Sequence, residues 1–469
     1  MISEVLMIIA GILVYIPQVF LYIYHSILAS KCKVAIRESS GTLQANTAEN
    51  ISFILPVRRE PLEYIEEAAT FVHKLGIPGY ELIIVSDDPP EEKDDLFRLV
   101  SKLRDMGVNA WIIWRSVPRG YRTGALNDGL LLSIGDYVYV IDVDSRPEKS
   151  FFERAVGILK EGNDVVAVVG RWEPLNQNTR VSQALAYALK FMTRILYKSR
   201  SNRGLFTYPL GTGTLYKAVI LKSVLNGWDE ERIQDDVELG ARIIKSGYRV
   251  FYLDDQAILV ENPDTYKGFR IQQARWAYGA LDAAIARFKH ILSSKTPLRV
   301  KVDAILYPTQ YVLQSLVFLG TILLAILAFL GVREPQSLTI LFTTWLLSLA
   351  LYSLTMHYCG GEELSKWWII VQAGRLAALT NAISPYIAYN TLKALLRIRV
   401  EYKRTPKGRF QWLGGGLRPP LELILGLVLL CAGVMGLFNG WRTSWIWLLA
   451  SSIGYLYIVY RFPRDVFYS

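Results

Sequence analysis

The sequence has few of the residues that cross-link small secreted proteins or hold structural zinc. It has 469 residues but only three cysteines, Cys32, Cys359 and Cys431. Zinc sites and disulfide frameworks need several cysteines or histidines at characteristic spacings, whereas these three lie far apart. We therefore expect neither disulfides nor a zinc site. The sequence also shows no internal repeat and no low-complexity tract.

The N-terminal apolar run lacks the basic residues that open a secretory signal peptide. Glu4 stands in their place, and Lys31, Lys33 and Arg37 follow the run. Signal peptides begin with positive charge, and positive charge marks the cytoplasmic side of a membrane helix. The pattern predicts a retained anchor, residues 1–30, with its N-terminus outside the cell and the following segment in the cytoplasm.

Long uncharged runs account for a hydrophobic content of 52%, which is too high for one ordinary soluble domain of this length. Runs close to the ~20 residues that a spanning helix needs occur at residues 5–30, 304–332, 335–361, 423–441 and 443–460. A buried core helix is the alternative for each run taken singly. Together they predict five membrane spans and an integral protein of the plasma membrane.

Basic residues outnumber acidic ones, and the formal net charge is +10. Nucleic-acid binding is one explanation for this excess. The densest basic cluster, however, lies between hydrophobic segments, at Arg397, Arg399, Lys403, Arg404, Lys407 and Arg409. Basic segments next to a membrane attract anionic lipid head groups. We therefore expect membrane lipids, and no nucleic acid, as partners.

Residues 50–262 alternate short β-rich runs with helical stretches, which predicts an α/β domain. The predicted strands are residues 51–56, 81–86, 110–114, 137–142 and 165–170, and helices at 62–75 and 94–106 lie between them. This alternation is typical of a mostly parallel sheet covered by helices on both faces. Ligands bind such sheets at the carboxyl ends of the strands, where Asp87 and Asp142 fall.

Two further segments, residues 263–300 and 366–395, are amphipathic and are predicted to lie in the membrane interface. If the second crossed the bilayer, the basic loop at residues 396–418 would lie outside, against the positive-inside tendency. An interfacial helix avoids this conflict. The predicted order is then two spans within residues 302–361, the interfacial helix, the loop, and two spans within residues 420–462.

Asp142 and Asp144 stand at the end of the apolar run of residues 137–141. Alternate residues of an extended backbone point to the same face, so both carboxylates can address one cation. Mg²⁺ or Mn²⁺ is commonly held by one or two carboxylates together with substrate phosphate oxygens. The alternative is a pair of solvated turn residues, and a single D-x-D pattern is a weak signal.

Asp236 opens a predicted helix at residues 236–246. A carboxylate there can act as a general base if it reaches a substrate hydroxyl, with helix capping as the alternative. The neighbouring Asp235 suits the positive end of the helix. Glu238 and Arg242 are four residues apart, and we expect a surface ion pair.

Gln272, Arg275 and Trp276 share one helical face, because they stand at i, i+3 and i+4. An arginine can bind a diphosphate through charge-assisted hydrogen bonds, and a tryptophan face suits the apolar side of a sugar ring. The alternative is an interfacial helix anchored by its tryptophan. Asp87 is a candidate acceptor of hydrogen bonds from a nucleoside, with a strand-ending turn as the alternative.

The ordered set of motifs resembles the membrane-embedded family-2 glycosyltransferases, which include cellulose, hyaluronan and chitin synthases. The resemblance covers about residues 51–408. The family's D-x-D motif matches Asp142 and Asp144, its Thr-Glu-Asp motif appears as Gln234-Asp235-Asp236, and its Q-x-x-R-W motif is intact as Gln272, Arg275 and Trp276. The small-residue loop of the family's acceptor site resembles residues 211–214.

Other positions match with substitutions. The family's Lys-x-Gly-Ala-Leu-Asn segment begins here with Arg122, and its Phe-x-Val-Thr-x-Lys-Gly loop, which covers bound nucleotide in cellulose synthase, resembles residues 402–408 with Tyr for Phe and Arg for Val. The resemblance places Pro56 and Asp87 at the ends of the first two strands, beside the nucleotide.

The resemblance implies a GT-A fold and inverting transfer of a sugar from a UDP- or GDP-sugar, with Mg²⁺ or Mn²⁺. It makes Asp236 the base and assigns Asp142 and Asp144 to the metal. It assigns donor binding to Pro56, Asp87, Arg122, Asp142, Gln272, Arg275, Thr405 and Lys407, and acceptor binding to Trp276, Gly211 and Gly213.

The expected activity is synthesis and secretion of a polysaccharide from the cytoplasmic face. Transfer of one sugar to a lipid acceptor is the first alternative, and a transporter or nucleotide-sugar sensor without catalysis is the second. A channel with polar and aromatic walls would favour the polymer. Tyr307, Gln310 and Gln314 are at helical spacing and could line such a channel, with packing contacts as the alternative.

Overall fold

The computed structural model describes residues 2–36, 50–360, 365–402, 405 and 416–468. The chain begins with one long helix, α1 (Ile2–Ala29), and then forms an α/β domain. The strands of this domain are β1 (Ile51–Val57), β2 (Glu81–Ser86), β3 (Ala110–Trp114), β4 (Tyr137–Val140), β5 (Ser145–Pro147), β6 (Val165–Pro174), β7 (Thr214–Lys217) and β8 (Arg249–Val260). Its helices are α2 (Leu62–Lys74), α3 (Lys93–Asp105), α4 (Tyr121–Leu132), α5 (Lys149–Glu161), α6 (Arg180–Phe191), α7 (Arg200–Asn202), α8 (Ala218–Ser223) and α9 (Asp235–Lys245), with a π-helical segment at Met192–Ser199 between α6 and α7.

The strands form one sheet in the order β3-β2-β1-β4-β7-β6-β8-β5. Strands β3, β2, β1 and β4 are parallel, as the sequence predicts, and β6 also pairs in parallel with β8. Strand β7 runs antiparallel between β4 and β6, and β5 runs antiparallel to β8. The sheet is therefore mixed, with both parallel and antiparallel strand pairs.

Both faces of the sheet are covered, so its central strands are apolar throughout. Phe53 and Leu55 of β1 are buried with α2, α3 and α5 on one face, and Ile54 is buried with α4 and α9 on the other. This burial explains the continuous apolar runs of the sequence. Because β1, β2 and β4 are parallel, their carboxyl ends bring Pro56, Asp87 and Asp142 to the same edge.

A helical region follows the domain. It consists of α10 (Tyr266–Leu292), α11 (Leu298–Phe329), α12 (Gln336–Gly360), α13 (Lys366–Ala382), α14 (Ser384–Leu395), α15 (Leu421–Phe438), α16 (Ser444–Arg461) and α17 (Pro463–Phe467). Four helices among the described residues are long and apolar enough to cross a membrane, namely α1, α11, α12 and α15. The last predicted span, residues 443–460, forms α16, which packs on α15 but is not among the four.

The predicted interfacial helix at residues 366–395 is two helices, α13 and α14, which meet at Ile383. Pro385 lies in the first turn of α14, where a proline is tolerated because it lacks the amide that would remain unpaired there. The segment at residues 263–300 contains the single helix α10 followed by the start of α11. The placement of these elements in a membrane stays a prediction.

The expectation that the chain forms no disulfide is wrong. Cys32, just after α1, and Cys359, near the end of α12, form a disulfide with their Cα atoms 5.8 Å apart. The two cysteines are 327 residues apart in sequence, and packing of α1 against α12 brings them together. Sequence spacing carries no information about such a distant pair.

This pairing predicts how many thiols react before and after reduction. Denatured, unreduced protein should expose one thiol, that of Cys431, which is free and exposed, and reduction should release Cys32 and Cys359 as well. Mass spectrometry after maleimide labelling gives the count directly. In the Cys359→Ser variant, Cys32 should label without reduction, and Cys32 labelling in unreduced wild-type protein would contradict the pairing.

Candidate functional site

A cavity of about 1410 Å³ extends from the carboxyl edge of the sheet into the space between the helices. Most of the residues singled out from the sequence line it: Pro56, Asp87, Arg122, Asp142, Asp144, Gly211, Asp236, Gln272, Arg275, Trp276 and Thr405. Gly213 is not among the lining residues, and Lys407 lies outside the described residues. Residues separated by more than 300 positions in sequence are therefore brought to one site.

Arg122 links the carboxylates at the centre of the site. Its Nη2 donates to Oδ1 of Asp142 at 2.9 Å and to the carbonyl oxygen of Gly211 at 2.7 Å, while its Nε lies 3.7 Å from Oδ2 of Asp235. Its Nη1 is buried without a hydrogen-bond partner among the described residues. Burial opposes the charge, yet Asp142 and Asp235 raise the pKa of Arg122. The guanidinium therefore stays charged, and its Nη1 can donate a hydrogen bond to an anion.

The chemistry of Asp142 and Asp144 fits a divalent cation that arrives with a diphosphate. Both residues line the cavity. The described residues contain no group of three or more His, Cys, Asp or Glu side chains that could hold a metal by themselves. Mg²⁺ is usually held by one or two carboxylates, substrate phosphates and water. The pair matches that requirement and does not match an all-protein metal site.

Asp236 lies at the N-terminus of α9 with one carboxylate oxygen already engaged. Its Oδ1 accepts hydrogen bonds from Nε2 of Gln234 and from the amide of Val237, both at 2.7 Å. Among the described residues Oδ2 accepts none. Burial, and then the negative charge of Asp235, raise the pKa of Asp236 to about 7. A carboxylate held in this way can accept a proton near neutral pH.

The predicted pair of Glu238 and Arg242 forms, but its predicted position on the surface is wrong. Glu238 is fully buried, and its two oxygens accept from Nε and Nη2 of Arg242 at 2.7 and 2.6 Å. Arg287 of α10 also donates to Glu238, at 2.5 Å. The pair is buried because α10 covers this face of α9. The Glu238 carboxylate thereby links α9, which carries Asp236, to α10, which carries Trp276.

The face of α10 that carries Gln272, Arg275 and Trp276 points into the cavity. The guanidinium carbon of Arg275 lies 5.0 Å from the ring centre of Tyr402, and its Nε is buried without a partner among the described residues. Tyr402 stacks in turn on Tyr121 at the start of α4. The beginning of the basic loop therefore lies on Arg275 rather than apart from it.

Thr405 is another described residue of the same loop. It is 8% exposed, lines the cavity, and its Oγ1 has no hydrogen-bond partner among the described residues. The loop thus brings an unsatisfied hydroxyl to the wall of the site. Its remaining predicted contact, Lys407, lies outside the described residues.

Asp87 is paired with an arginine that the sequence gave no reason to single out. Nη1 of Arg115 donates to Oδ1 of Asp87 at 2.9 Å, and Nε of Arg115 lies 2.9 Å from Oδ2 of Asp128. Burial raises the pKa of Asp87 to about 6, against the opposing effect of Arg115. Arg115 directly follows strand β3, and a charged residue at that edge is the only sequence signal it offers.

Gly211 and Gly213 serve different structural purposes. A Cβ on Gly211 would lie 3.5 Å from Oδ1 of Asp235, an ordinary contact beside the carboxylates. Gly213 has a φ of +90°, and a Cβ there would lie 3.0 Å from Nε1 of Trp172. Residues other than glycine rarely adopt such a backbone angle. Gly211 therefore leaves space in the site, whereas Gly213 permits the turn that precedes β7.

We expect Gly213→Ala to destabilise the domain by about 1–2 kcal/mol, because an L-residue is strained at positive φ. Gly211→Ala should change stability much less and should act mainly on substrate affinity. Thermal unfolding of both variants, read together with nucleotide affinity, tests this difference. Equal destabilisation by the two substitutions would contradict the distinction.

The deeper part of the cavity lies among the helices. Tyr307, Gln310 and Gln314 of α11 line it, as do Trp345, Tyr352 and Trp447. The hydroxyl of Tyr307 lies 3.2 Å from that of Tyr197, a residue of the π-helical segment that the sequence did not single out. The hydroxyl of Tyr311 donates to Gln273 at 2.9 Å. The walls thus include polar and aromatic side chains beyond the carboxylates, together with aliphatic ones such as Val317 and Leu349.

Comparison of the sequence with known proteins gives consistent matches. Residues 137–359 match the family described as glycosyl transferase family group 2. A probable glycosyltransferase of Sulfolobus acidocaldarius is 30% identical over 458 residues, which cover 96% of this chain and 97% of that protein. Glucomannan 4-beta-mannosyltransferase 7 of Arabidopsis thaliana is 25% identical over 426 residues, which cover 85% of this chain and 74% of that protein.

Among solved structures, a mannosyltransferase of Pyrobaculum calidifontis, determined in complex with GDP-Man and Mn²⁺, superposes with a TM-score of 0.57. The match covers 85% of this chain and all of that chain, at 18% sequence identity. At that identity the likeness concerns the fold.

Proposed function

Because this chain belongs to glycosyl transferase family group 2 and is therefore a glycosyltransferase with a GT-A-like α/β fold, we propose that it transfers mannose from GDP-mannose with inversion. The donor is inferred from proteins to which the chain is similar. One is named a glucomannan 4-beta-mannosyltransferase, and another was solved with GDP-Man. The observation that carries the proposal is the convergence of the candidate residues on one cavity.

In the proposed reaction Asp236 takes the proton from an acceptor hydroxyl. The hydroxyl oxygen forms a bond to the anomeric carbon as the bond from that carbon to the diphosphate breaks, and GDP leaves. The raised pKa of Asp236, about 7, suits a base that works near neutral pH. Its hydrogen bonds from Gln234 and Val237 hold the carboxylate in place. Trp276 holds the acceptor sugar, which lowers the orientational part of the barrier.

Negative charge develops on the departing diphosphate, and fixed cations stabilise it. Nη1 of Arg122 and Nε of Arg275 are buried donors without a partner among the described residues, and both residues line the cavity. We assign them to the diphosphate, together with Gln272. Mg²⁺ or Mn²⁺ on Asp142 and Asp144 would supply further positive charge when bound.

The nucleoside is assigned to the carboxyl ends of β1 and β2. Pro56 and Asp87 line the cavity there, and the ion pair with Arg115 fixes the Asp87 carboxylate. Thr405 and Lys407 are proposed to close over the nucleotide and exclude water. Gly211 leaves space for the acceptor, and Gly213 supports the turn that carries it.

The favoured version of the proposal is synthesis and secretion of a polysaccharide. Its support is the extension of the cavity from Asp236 to Tyr307, Gln310 and Gln314, between helices long enough to cross a membrane. Polar and aromatic walls suit a sugar chain. The alternative is transfer of one sugar to a lipid. A transporter or sensor without catalysis would have to account for the carboxylate pair of Asp142 and Asp144 and the carboxylate of Asp236 in one cavity.

The proposed topology places the α/β domain in the cytoplasm, the N-terminus outside, and the protein in the plasma membrane. The helices α1, α11, α12 and α15 support it by their length and composition. The basic residues after α1, Lys31 and Lys33, support the orientation.

The direct test uses purified full-length protein in lipid with Mn²⁺ and radiolabelled GDP-Man, UDP-Glc, UDP-GlcNAc or UDP-GlcA. Products are separated by gel and by thin-layer chromatography. A high-mass, mannosidase-sensitive product from GDP-Man would support the polymer. Label that extracts into organic solvent would favour the lipid alternative, and transfer from a UDP-sugar alone would refute the assigned donor.

A further inference from the structure

Arg375 of α13 lies in the wall of the cavity, in the part formed by helices. Its Nη1 donates to the side-chain oxygens of Gln183 at 3.0 Å and of Gln372 at 3.3 Å. Both acceptors are neutral amides, and no carboxylate lies within ion-pair distance of Arg375 in the part of the chain that the structure describes. Within the described ranges, the positive charge of Arg375 is therefore hydrogen-bonded but not balanced by a carboxylate.

Part of the cavity wall on α13 and α16 is exposed. Ile370 and Gly374 of α13 and Ile453 of α16 line the cavity and are exposed, Ile370 at 61% and Ile453 at 67%. A Cβ on Gly374 would meet nothing within 4 Å. Because these lining residues are exposed, the cavity reaches the surface at α13 and α16, which pack on each other, and Arg375 lies next to Gly374 on α13.

The helix α13 is predicted to lie in the membrane interface, and basic residues at that depth attract anionic lipid head groups. The partner that fits this geometry carries a negative charge attached to an apolar tail. Donor phosphates are accounted for by Arg122 and Arg275 near Asp236, and a neutral glycan needs no cation. The exposed Ile370 and Ile453 would face hydrocarbon, where a lipid tail can lie.

We propose that this exposed part of the cavity wall binds an anionic membrane phospholipid, with its phosphate at Arg375 and its acyl chains across Ile370, Gly374 and Ile453. The inference rests on the proposed membrane placement of the helices. It does not depend on the identity of the donor or on catalysis. The lipid would cover this part of the cavity and compensate the charge of Arg375.

The test measures lipid binding without any sugar donor. Delipidated full-length protein in neutral detergent is titrated with dioleoylphosphatidylglycerol or dioleoylphosphatidylcholine, and bound lipid is counted by native mass spectrometry. We expect tighter binding of the anionic lipid, and about a tenfold loss of that affinity in Arg375→Gln, as expected for one charge-assisted contact. Arg375→Lys should retain most of the affinity.

Two further variants complete the test. Arg464→Gln changes an exposed arginine just after α16 and should leave binding unchanged. Gly374→Leu keeps the charge of Arg375 but fills the opening, and should also weaken binding. Unchanged affinity in Arg375→Gln, or equal binding of the two lipids, would overturn the proposal. Protein that stays in solution without detergent would instead refute the membrane placement.

Discussion

Replacing Asp236 with asparagine is expected to lower kcat by about 10²–10⁴, the usual contribution of a general base. Asparagine has the same shape and can still accept hydrogen bonds from Gln234 and Val237 through its side-chain oxygen. The donor should therefore bind with nearly unchanged affinity. Steady-state transfer from GDP-mannose gives kcat, and calorimetry with GDP gives the affinity. Full turnover in this variant would show that another group is the base.

The pH dependence of kcat provides a second test of Asp236 as the general base. The base acts in its ionised form, so activity should fall as the pH drops through the pKa of Asp236, about 7. The negative charge of Asp235 contributes to raising that pKa. In Asp235→Asn the acidic limb of the kcat profile should therefore move to lower pH. An acidic limb that stays at the same pH would contradict the effect of the Asp235 charge on the pKa of Asp236.

Replacing Arg275 with glutamine is expected to lower kcat/KM by about 10²–10³, the effect of removing one positioned donor from a developing charge. The Nε of Arg275 is buried without a partner among the described residues, so apart from the cation–π contact with Tyr402 the loss should fall on the diphosphate. GDP affinity should fall as well. Initial rates against GDP-mannose concentration, with GDP calorimetry, measure both effects.

The matched control for Arg275 is Tyr402→Phe, which keeps the aromatic ring 5.0 Å from the guanidinium. Because the cation–π contact survives, its effect on kcat/KM should stay below about tenfold. If Arg275→Gln were as mild as Tyr402→Phe, the diphosphate would have to be bound elsewhere. Arg122 would then be the first residue to examine.

Local patterns predicted the first part of the domain well. Strands β2 and β3 begin and end where the sequence predicts, and β1, α2 and α3 differ by one or two residues. These elements are clear because buried parallel strands are continuously apolar and the helices between them are amphipathic. The D-x-D and Q-x-x-R-W motifs were found for a similar reason, since their chemistry lies in residues close together in sequence.

Long-range features were missed because they depend on how distant segments pack. The disulfide joins cysteines that only the contact of α1 with α12 brings together. Glu238 looks like a surface residue on its own helix, and α10 buries it. Arg115 meets Asp87 because β3 lies next to β2. Strand β7 begins at Thr214, the last residue of the small-residue loop, and was not predicted. None of these has a signature within a short window of sequence.

The most direct test of the account is mannosyl transfer by wild-type and Asp236→Asn protein in lipid, with GDP-[¹⁴C]mannose and Mn²⁺. The account predicts that wild-type protein releases GDP and places the label in a larger product, whereas the variant binds GDP-mannose and transfers almost none. Transfer at similar rates by both proteins would contradict the assignment of Asp236. Binding without transfer by the wild-type protein, with mannose and with the other donors, would contradict the proposed activity.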